Sequence, residues 1–406
     1  MIILVQKFGG TSVASEESRN QVYKKIEEAV NNGYSLVVVV SAMGRTGDPY
    51  ATDTLLNLIR NDYPFANKRE LDVIFSCGEN ISGTIVATSL QKKGYKSVYL
   101  TGAQAGIITD NNYSNAKITK IDNQRIISLL KEGNIVVVGG SQGVSEGGDI
   151  TTLGRGGSDT TACALGISLN AYEVDIFTDV EGIMTADPRK VSNTRILDEI
   201  SYEDCCIMAQ RGAQVIHPRA VEVAMQSPDM RLYVKSTFSN HMGTLISREK
   251  EEFNGILNLI SIAGHENLVY GKIICDEYKT IVNILNIVKG TELVDYSIYC
   301  GKGGIIITTN YKNYKTVEKY IKENGFEVTD CQNVSEISII GSNFSTFPEF
   351  YEELKNKIMA VVNVKICLLD NRFITFIIES EHYVQTINFI HDYVINQLKQ
   401  QVSFNN

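Results

Sequence analysis

The sequence predicts an α/β protein with a mostly parallel sheet that is covered by helices on both faces, followed by smaller α+β modules. Over residues 1–245, apolar runs with strand character alternate with helical stretches, and this alternation is typical of a parallel sheet. After a charged linker at 248–252, the pattern changes to short strands with intervening helices. The length of 406 residues leaves room for two or three domains.

The elements of the first part follow from these runs. Strands are predicted at 2–6, 35–41, 72–77, 96–100, 134–139, 173–178 and 231–235. Helices are predicted at 15–32, 52–60, 80–93, 121–132, 159–169 and 210–226.

The composition is that of an ordinary soluble globular protein, with 43% hydrophobic and 21% charged residues. A net charge of −9 argues against nucleic acid or an anionic membrane as the main partner. The longest apolar runs are too short to cross a bilayer. Eight cysteines without a CxxC pair, and no signal peptide, predict reduced core cysteines in a cytoplasmic protein. The five histidines are spread out, so a metal site made by the protein alone is not expected.

The first candidate site is the stretch Lys7-Phe8-Gly9-Gly10-Thr11-Ser12, which follows the first apolar run. A strand that leads through glycines into a helix N-terminus favours a bound anion, because unpaired N–H groups and the helix dipole both attract negative charge. Lys7 adds a full positive charge. The lysine precedes both glycines, unlike the Walker pattern. A purely structural turn explains this stretch equally well when it is taken alone.

Three polar residues follow other predicted strands or open helices. Ser41 follows the strand at 35–41, Thr52 opens a helix, and Glu79 stands at a predicted helix start after the strand at 72–77. Ligands of parallel α/β sheets bind beyond the carboxyl ends of the strands, so we expect these side chains in one crevice. Simpler explanations are a turn or an N-cap for Ser41 and Thr52, and a favourable first-turn acid for Glu79.

The second candidate site is the stretch Gly154-Arg155-Gly156-Gly157-Ser158-Asp159, another glycine turn before a helix. Arg155 has the planar fork that fits a carboxylate. Asp159 would repel a phosphate unless it held a cation or a lysine, and Lys7 is the candidate. A structural tight turn is the weaker explanation, because glycines alone would serve.

A polar, glycine-containing loop follows the strand at 173–178 and runs from Thr178 to Arg189. Loops of this kind carry binding residues, and Arg189 is long enough to reach a phosphate. The alternative is a surface ion pair between Arg189 and Asp187.

Together these stretches resemble the aspartokinase family, in order and at suitable spacing over residues 1–245. Within this family, the sequence from Ser41 to Asp53 is similar to the corresponding stretch of the Gram-positive, diaminopimelate-sensitive isozyme. The resemblance implies the amino-acid-kinase fold, a three-layer αβα sandwich. It also implies ATP-dependent phosphorylation of the β-carboxylate of L-aspartate, with Mg²⁺ carried by ATP. This reaction is the first step towards lysine and diaminopimelate, threonine and methionine.

The resemblance also implies roles for individual residues. The catalytic residues are Lys7 and Asp159. The substrate-binding residues are Ser41, Thr52, Glu79, Arg155 and Ser158, with Glu79 on the ammonium of aspartate. The nucleotide-binding residues are Lys7, Phe8, Gly9, Gly10, Thr178, Asp179, Ile183, Met184, Asp187, Arg189 and Gln214. Two positions depart from the family: Gln214 stands where many relatives have lysine, and Ser141 replaces a common phenylalanine.

The last third of the chain predicts two related modules. Strands are expected at 257–263, 268–275, 293–299, 304–309, 326–330, 336–341, 361–367 and 372–379, and helices at 278–289, 312–324, 347–358 and 383–399. This order gives a split βαβ module at 268–331, nested inside a second module made of 257–263 plus 335–400.

The pair of modules resembles the ferredoxin-like tandem ACT domains of aspartokinases. This resemblance implies a homodimer through the modules, with an amino-acid effector bound near Asp276 or Ser342. Diaminopimelate is the first candidate effector, and lysine with or without threonine is the second. The usual Asp-x-Pro-Gly-like turn is missing at both places, so an insensitive enzyme is the alternative.

Two rival functions follow from the same residues. The first is another amino-acid kinase, acting on glutamate, acetylglutamate or a nucleotide. Glu79 with Arg155 favours a free amine beside a carboxylate, which acetylglutamate and nucleotides lack. The second rival is a decayed kinase that acts only as an effector sensor, and intact Lys7, Asp159 and Arg155 argue against it.

Overall fold

The computed structural model describes residues 1–63, 65–213, 215–227, 229–248, 257–275, 277–290, 296–301 and 304–404. The predictions for Gln214 and Asp276 therefore lie outside the described residues. The chain divides into two compact units. The first unit comprises Met1–Met184, Ile196–Gln210 and Gln214–Lys250, and the second comprises Thr185–Arg195, Arg211–Ala213 and Glu251–Asn406.

The first unit is an α/β fold. Its strands are β1 (Ile3–Phe8), β2 (Ser35–Val40), β3 (Ser97–Leu100), β4 (Ile107–Thr109), β5 (Ile118–Ile121), β6 (Ile135–Gly139), β7 (Gln142–Ser145), β8 (Ile150–Thr152), β9 (Glu173–Thr178), β10 (Glu199–Ser201), β11 (Arg231–Ser236) and β12 (Thr244–Ser247). Its helices are α1 (Gly10–Val13), α2 (Glu16–Asn31), α3 (Thr52–Arg60), α4 (Lys68–Lys92), α5 (Gln124–Lys131), α6 (Gly157–Ser168), α7 (Tyr202–Gln210) and α8 (Pro218–Ala224).

The main sheet of this unit has the strand order β10-β12-β11-β9-β1-β2-β6-β3, and its pairs are parallel except for β11 with β12. Side chains alternate between the two faces of a strand. Phe8 belongs to the core formed with α2 and α4, whereas Lys7 contacts α6. Helices therefore cover both faces, which confirms the predicted three-layer, mostly parallel architecture.

The predicted strand at 72–77 is wrong, because these residues lie inside the 25-residue helix α4. Its apolar run suggested a buried strand, yet the helix buries one broad face that includes Asp72 and Ser76 and leaves Val73 exposed. Gly78 and Gly83 permit the close packing: a Cβ on Gly83 would lie 2.2 Å from the Tyr99 ring. Glu79 is consequently in the middle of a helix and not at its start.

The predicted helix at 210–226 is confirmed only over α8 (Pro218–Ala224), because α7, which was not predicted, already ends at Gln210. Gly212 has φ +107°, a left-handed conformation that ends a helix. Pro218 then stands in the first turn of α8, where proline is favoured. Six further short strands of the described residues, β4, β5, β7, β8, β10 and β12, were not predicted; the first four form a separate sheet with the order β5-β4-β7-β8.

The second unit contains one sheet with helices. Its elements are β13 (Asn258–Ile273), α9 (Tyr278–Gly290), β14 (Tyr296–Gly301), β15 (Gly304–Asn310), α10 (Tyr311–Glu323), β16 (Thr329–Ser342), α11 (Pro348–Met359), β17 (Val364–Leu369), β18 (Phe373–Glu379) and α12 (Tyr383–Phe404). The strand order is β14-β15-β13-β16-β18-β17.

Two pairs of predicted strands are each a single long strand. The runs at 257–263 and 268–275 form β13, and the runs at 326–330 and 336–341 form β16. An irregularity between His265 and Leu268 marks the place where we expected a break. One hydrophobic core packs on the first half of β13 with β18, and another packs on its second half with β15. The division into two modules stays a prediction, which these two cores support.

The eight cysteines form no disulfide among the residues that the structure describes. Burial raises the pKa of the Cys163 and Cys205 thiols. Cys300 and Cys331 are exposed, so the expectation of a core position is wrong for both. They lie on strands, where alternate side chains face solvent. Within the described ranges, every helix is too short or too polar to span a lipid bilayer.

Candidate active site

The candidate site is organised around an ion pair between Lys7 on β1 and Asp159 on α6. The distance from Lys7 Nζ to Asp159 Oδ1 is 2.6 Å, and each side chain is only 11% exposed. Taking an ammonium out of water is costly unless a counter-charge lies beside it. The predicted contact between the two charges is therefore confirmed, while their catalytic role stays a prediction.

The glycine turn after β1 leaves space beside this pair. A Cβ on Gly10 would lie 2.7 Å from the Gly44 carbonyl oxygen, which a side chain cannot tolerate. A Cβ on Gly9 would lie 3.6 Å from Lys7 Nζ, so its absence keeps the approach to the ammonium open. The Phe8 ring is buried and stacks on Phe177. Only the main chain of Phe8 is left for contact with a nucleotide.

Three strands of the sheet bring the serines to the same edge. Ser41 follows β2, and its N–H donates to the Phe8 carbonyl at 3.1 Å. Gly140 follows β6, and its N–H donates to the Val40 carbonyl. A Cβ on Gly140 would lie 2.6 Å from Ser158 Oγ, so Ser158 lies directly against this strand end. Ser41 and Ser158 are thus both placed at the carboxyl edge that holds Lys7.

Thr52 is the first residue of α3, and the N-cap is Ala51 without a capping side chain. The N-cap explanation for Thr52 is therefore wrong. The preceding Tyr50 carbonyl lies 3.3 Å from the position of a Cβ on Gly78 of α4. This close approach places the start of α3 next to the turn of α4 that carries Glu79.

Glu79 is a buried carboxyl group, and its residue is 2% exposed. Its Oε1 accepts a long hydrogen bond of 3.4 Å from the Ala42 N–H. Its Oε2 has no hydrogen-bond partner among the described residues. Burial raises the pKa of Glu79 to about 8, against a weaker opposing effect of backbone hydrogen bonds. The group is therefore mainly protonated at neutral pH and lacks a partner for its second oxygen.

Asp72 lies two turns before Glu79 on α4, and in contrast to Glu79 both of its carboxylate oxygens have hydrogen-bond partners. Its two carboxylate oxygens accept from the N–H and hydroxyl groups of Ser114 and Thr152, at distances from 2.7 to 3.0 Å. Asp72 thereby joins α4 to the loop before β5 and to β8, which leads into the Arg155 turn. Sequence analysis missed this residue because it assigned Asp72 to a strand.

Arg155 stands in a turn between two glycines with left-handed backbone. Gly154 has φ +76° and Gly156 has φ +66°, conformations that favour glycine. The Arg155 side chain is exposed. No described residue holds it in an ion pair or a hydrogen bond, so its fork is available to a ligand.

The residues after β9 lie beside the glycine turn, because β9 pairs with β1 through Phe177 and Phe8. Asp179 forms an exposed ion pair with Arg45, at 2.6 Å, and the Thr178 hydroxyl donates to the Asp179 carboxylate. Further along, Ile183 is buried, and Met184 forms an isolated β-bridge with Ile196. The nucleotide-binding roles of these residues stay predictions.

Asp187 and Arg189 form the surface ion pair that was the simpler explanation, with 2.8 Å between Arg189 Nη2 and Asp187 Oδ2. Partial burial opposes ionisation of Asp187, but hydrogen bonds from Arg189 outweigh it and lower the pKa of Asp187. Both residues belong to the segment 185–195, which is part of the second unit. Their contact with a nucleotide stays a prediction.

Comparison with known proteins identifies the family. Residues 3–236 match the model of the amino acid kinase family. Aspartokinase 1 of Bacillus subtilis (strain 168) is 40% identical over 354 residues, which cover 86% of this chain and 87% of that protein. The chain belongs to the aspartokinases. The aspartokinase of Geobacillus stearothermophilus is 37% identical, and the match covers 97% of both chains.

A solved aspartokinase shares the fold. The crystal structure of Escherichia coli aspartokinase III in complex with aspartate and ADP has a TM-score of 0.80 and 21% identity, covering 96% of this chain and 99% of that chain. The relatives at 40% and 37% identity confirm the family resemblance stated from the glycine turns. The structural match covers 96% of this chain and so includes the second unit.

The titration of Glu79 gives a testable prediction for the ligand-free protein. The folded chain keeps a proton on Glu79 up to about pH 8, whereas the unfolded carboxyl loses it near the ordinary value of 4.5. The free energy of unfolding should therefore fall as the pH rises from 4.5 to 8 and level off above. Glu79→Gln lacks this contribution, so its stability advantage should grow across this window, by on the order of a few kcal/mol.

Urea unfolding of both proteins at several pH values measures this difference. Glu70→Gln, on the exposed first turn of the same helix, controls for removing an acid from α4. A stability difference for Glu79→Gln that does not change with pH would contradict the prediction.

Proposed function

We propose that this chain transfers the γ-phosphoryl group of ATP to the β-carboxylate of L-aspartate, giving 4-phospho-L-aspartate, the first step of the aspartate pathway. The observation that carries the proposal is the geometry at the carboxyl edge of the sheet. An ammonium held by Asp159 faces an open glycine turn, and α4 carries the buried Glu79, whose Oε2 has no hydrogen-bond partner among the described residues. These are the charges that a phosphate donor and an amino acid require.

A carboxylate acceptor is already an anion at neutral pH, so the reaction needs no general base. The site has to position two negatively charged reactants and offset their repulsion. The positive charge of Lys7 offsets this repulsion. It lies beside Gly9, where no side chain blocks the approach of phosphate oxygens. Asp159 orients the Lys7 ammonium towards that space.

The amino-acid end of the acceptor has matching groups. The unpartnered Oε2 of Glu79 accepts from the substrate ammonium, and Arg155 offers its fork to a carboxylate, with Ser41, Thr52 and Ser158 as hydroxyl partners. An acylated amine or a nucleotide would leave Glu79 without a donor. This set therefore favours a free amino acid over acetylglutamate and nucleotides, and the intact Lys7–Asp159 pair favours a working kinase over a decayed sensor.

We also propose that Mg²⁺ enters with ATP. Carboxylate oxygens are ligands that Mg²⁺ prefers, but Asp159 is paired with Lys7 and Asp179 with Arg45. These pairings fit an ion that would be held by the phosphate oxygens of ATP and by water. The metal would neutralise charge on the phosphates, while Lys7 and the main chain of the glycine turn position them.

Lys7→Ala tests the reaction. The variant should lose about a hundredfold or more in kcat, because the charge that stabilises the transferring phosphoryl group is gone. An ATP-dependent hydroxamate assay with aspartate measures the rate, and glutamate and acetylglutamate in the same assay test the rival acceptors. Lys24→Ala, on the exposed side of α2, is the matched control. Normal turnover in a folded Lys7→Ala protein would refute the role of Lys7, and no aspartate hydroxamate from the unchanged chain would refute the function.

Arg155→Lys tests the assignment of the acceptor. Lysine keeps the charge but loses the bidentate fork, so the KM for aspartate should rise about tenfold while the KM for ATP stays unchanged. Steady-state kinetics with each substrate varied in turn separate the two constants. If the KM for ATP moves instead, Arg155 belongs to the phosphates.

We propose that the second unit controls the position of the loop from Thr178 to Arg189, which is predicted to bind the nucleotide. The segment 185–195 carries Asp187 and Arg189, and it is built into this unit. The Thr185 carbonyl accepts from the Ile262 N–H of β13 at 2.8 Å, and the Thr185 hydroxyl lies 3.0 Å from Nε2 of His391 on α12. Ala186 and Val191 belong to the same core as β13, β16 and β18. A shift in this sheet would therefore move the segment.

A second link supports the same proposal. Arg211 pairs with Glu336 on β16 at 2.9 Å, and Glu336 is 1% exposed. The guanidinium also stacks on the Phe373 ring, 3.9 Å from its centroid, and Tyr299 donates to the other Glu336 oxygen. This buried network fixes the residues just before Gln214, the other position predicted to contact the nucleotide.

We further propose a homodimer through residues 257–400 with an amino-acid effector. Strands β14 and β17 are the outer strands of the sheet, and sheet edges are usually covered by pairing. The Ser342 hydroxyl is buried without a hydrogen-bond partner among the described residues, which supports a ligand at that end of β16. Diaminopimelate is the first candidate effector, followed by lysine with or without threonine.

Two measurements test assembly and control. Sedimentation equilibrium of the full chain should give a dimer, and millimolar diaminopimelate or lysine, alone or with threonine, should lower the rate of the aspartate reaction. Ser342→Ala should weaken the response to the effector without changing kcat in its absence. A monomer at all concentrations would contradict the proposed homodimer. Activity unchanged by every effector would contradict the proposed control by an amino acid.

A further inference from the structure

Arg219, on the first turn of α8, is a half-buried arginine whose hydrogen bonds go to neutral oxygens. Its Nη1 donates to the Leu153 carbonyl at 2.7 Å and to Asn115 Oδ1 at 3.2 Å. Its Nη2 donates to the Ala116 carbonyl. The fork thus joins two separate pieces of main chain, one before β5 and one directly after β8. A guanidinium that is partly removed from water and donates its hydrogen bonds to carbonyl groups holds those main-chain groups in place.

The piece of chain that Arg219 holds leads straight into the Arg155 turn. Leu153 is fully buried, and its N–H donates to the Ser141 carbonyl at 2.8 Å. The Arg219 guanidinium donates to the carbonyl of the same residue, so both polar main-chain groups of Leu153 are held by hydrogen bonds. Arg155 follows two positions later, after Gly154.

The other side of the turn rests on the same element. His217 is the N-cap of α8, and its ring accepts from the Arg219 N–H. A Cβ on Gly156 would lie 2.1 Å from Cγ of that ring. His217 and Arg219 therefore hold the residues on either side of Arg155, while the Arg155 side chain itself extends into solvent.

We propose that Arg219 is a positioning residue for the acceptor amino acid. It fixes the main chain at Leu153 so that the exposed Arg155 guanidinium is presented to the acceptor carboxylate in one orientation. The inference rests on the proposed function, in which Arg155 binds that carboxylate. Asp159 lies on α6, which begins at Gly157 directly after this turn. The KM for ATP, measured beside the KM for aspartate, therefore separates an effect on the acceptor from an effect on the Lys7–Asp159 pair.

A double-mutant cycle between Arg219→Lys and Arg155→Lys tests the inference. Lysine at 219 reaches one carbonyl and not two, so the turn loosens, and the KM for aspartate should rise about tenfold with the KM for ATP unchanged. In the Arg155→Lys background the same change should raise it less than about twofold, because Arg219 acts through Arg155. Arg231→Lys is the matched control, since Arg231 also donates from both Nη atoms, to the hydroxyls of Tyr172 and Tyr233.

The outcomes separate this inference from the proposed function. Effects that add in the double variant, a rise in both KM values, or a lower kcat with unchanged KM values would overturn it and leave Arg219 a structural residue. An Arg155→Lys enzyme with an unchanged KM for aspartate would overturn the role of Arg155 and the inference together. If Arg219→Lys does not fold, Gly156→Ala displaces the same turn through His217, and an unchanged KM for aspartate in that variant would equally overturn the inference.

Discussion

The contact between Lys7 and Asp159 is the interaction on which the rest of the site depends. Burying an ammonium group alone would cost several kcal/mol. The charged Lys7 side chain is therefore stable in its mostly buried position only because a carboxylate lies beside it. Asp159 supplies that carboxylate from the first turn of α6, on the face of the sheet opposite to Phe8. The strand order β9-β1-β2-β6 then determines which loops at the carboxyl ends of the strands lie close to this ion pair.

Helix α4 carries two equally buried carboxyl groups whose hydrogen-bond partners give them different environments. Asp72 has all its partners inside the protein and holds two loops in place. Glu79, two turns later, keeps one oxygen without a partner, and burial raises its pKa to about 8. In the proposed function, the substrate ammonium would replace this proton and give Oε2 its missing partner. This exchange would favour an acceptor with a free amine.

The sequence allowed the parallel sheet, both glycine turns and the Lys7–Asp159 contact to be predicted, because each has a local pattern of residues. It failed where tertiary packing overrides the local pattern. The apolar run at 72–77 is helical because Gly78 and Gly83 let α4 pack closely against Ala42 and Tyr99. Arg219 and His217 gave no signal at all, since their task depends on a turn more than sixty residues earlier in the chain.

The division of the chain supports the control that we propose for the second unit. The chain leaves the first unit at Thr185 and again at Arg211, and each time it returns after a short segment. Both segments are held by interactions made inside the second unit, through the core around Val191 and through the Arg211–Glu336 pair. The nucleotide residues predicted at 187, 189 and 214 lie in these segments or next to them. In the control that we propose, a shift in the packing of this sheet would move Asp187 and Arg189 with it and so alter nucleotide binding.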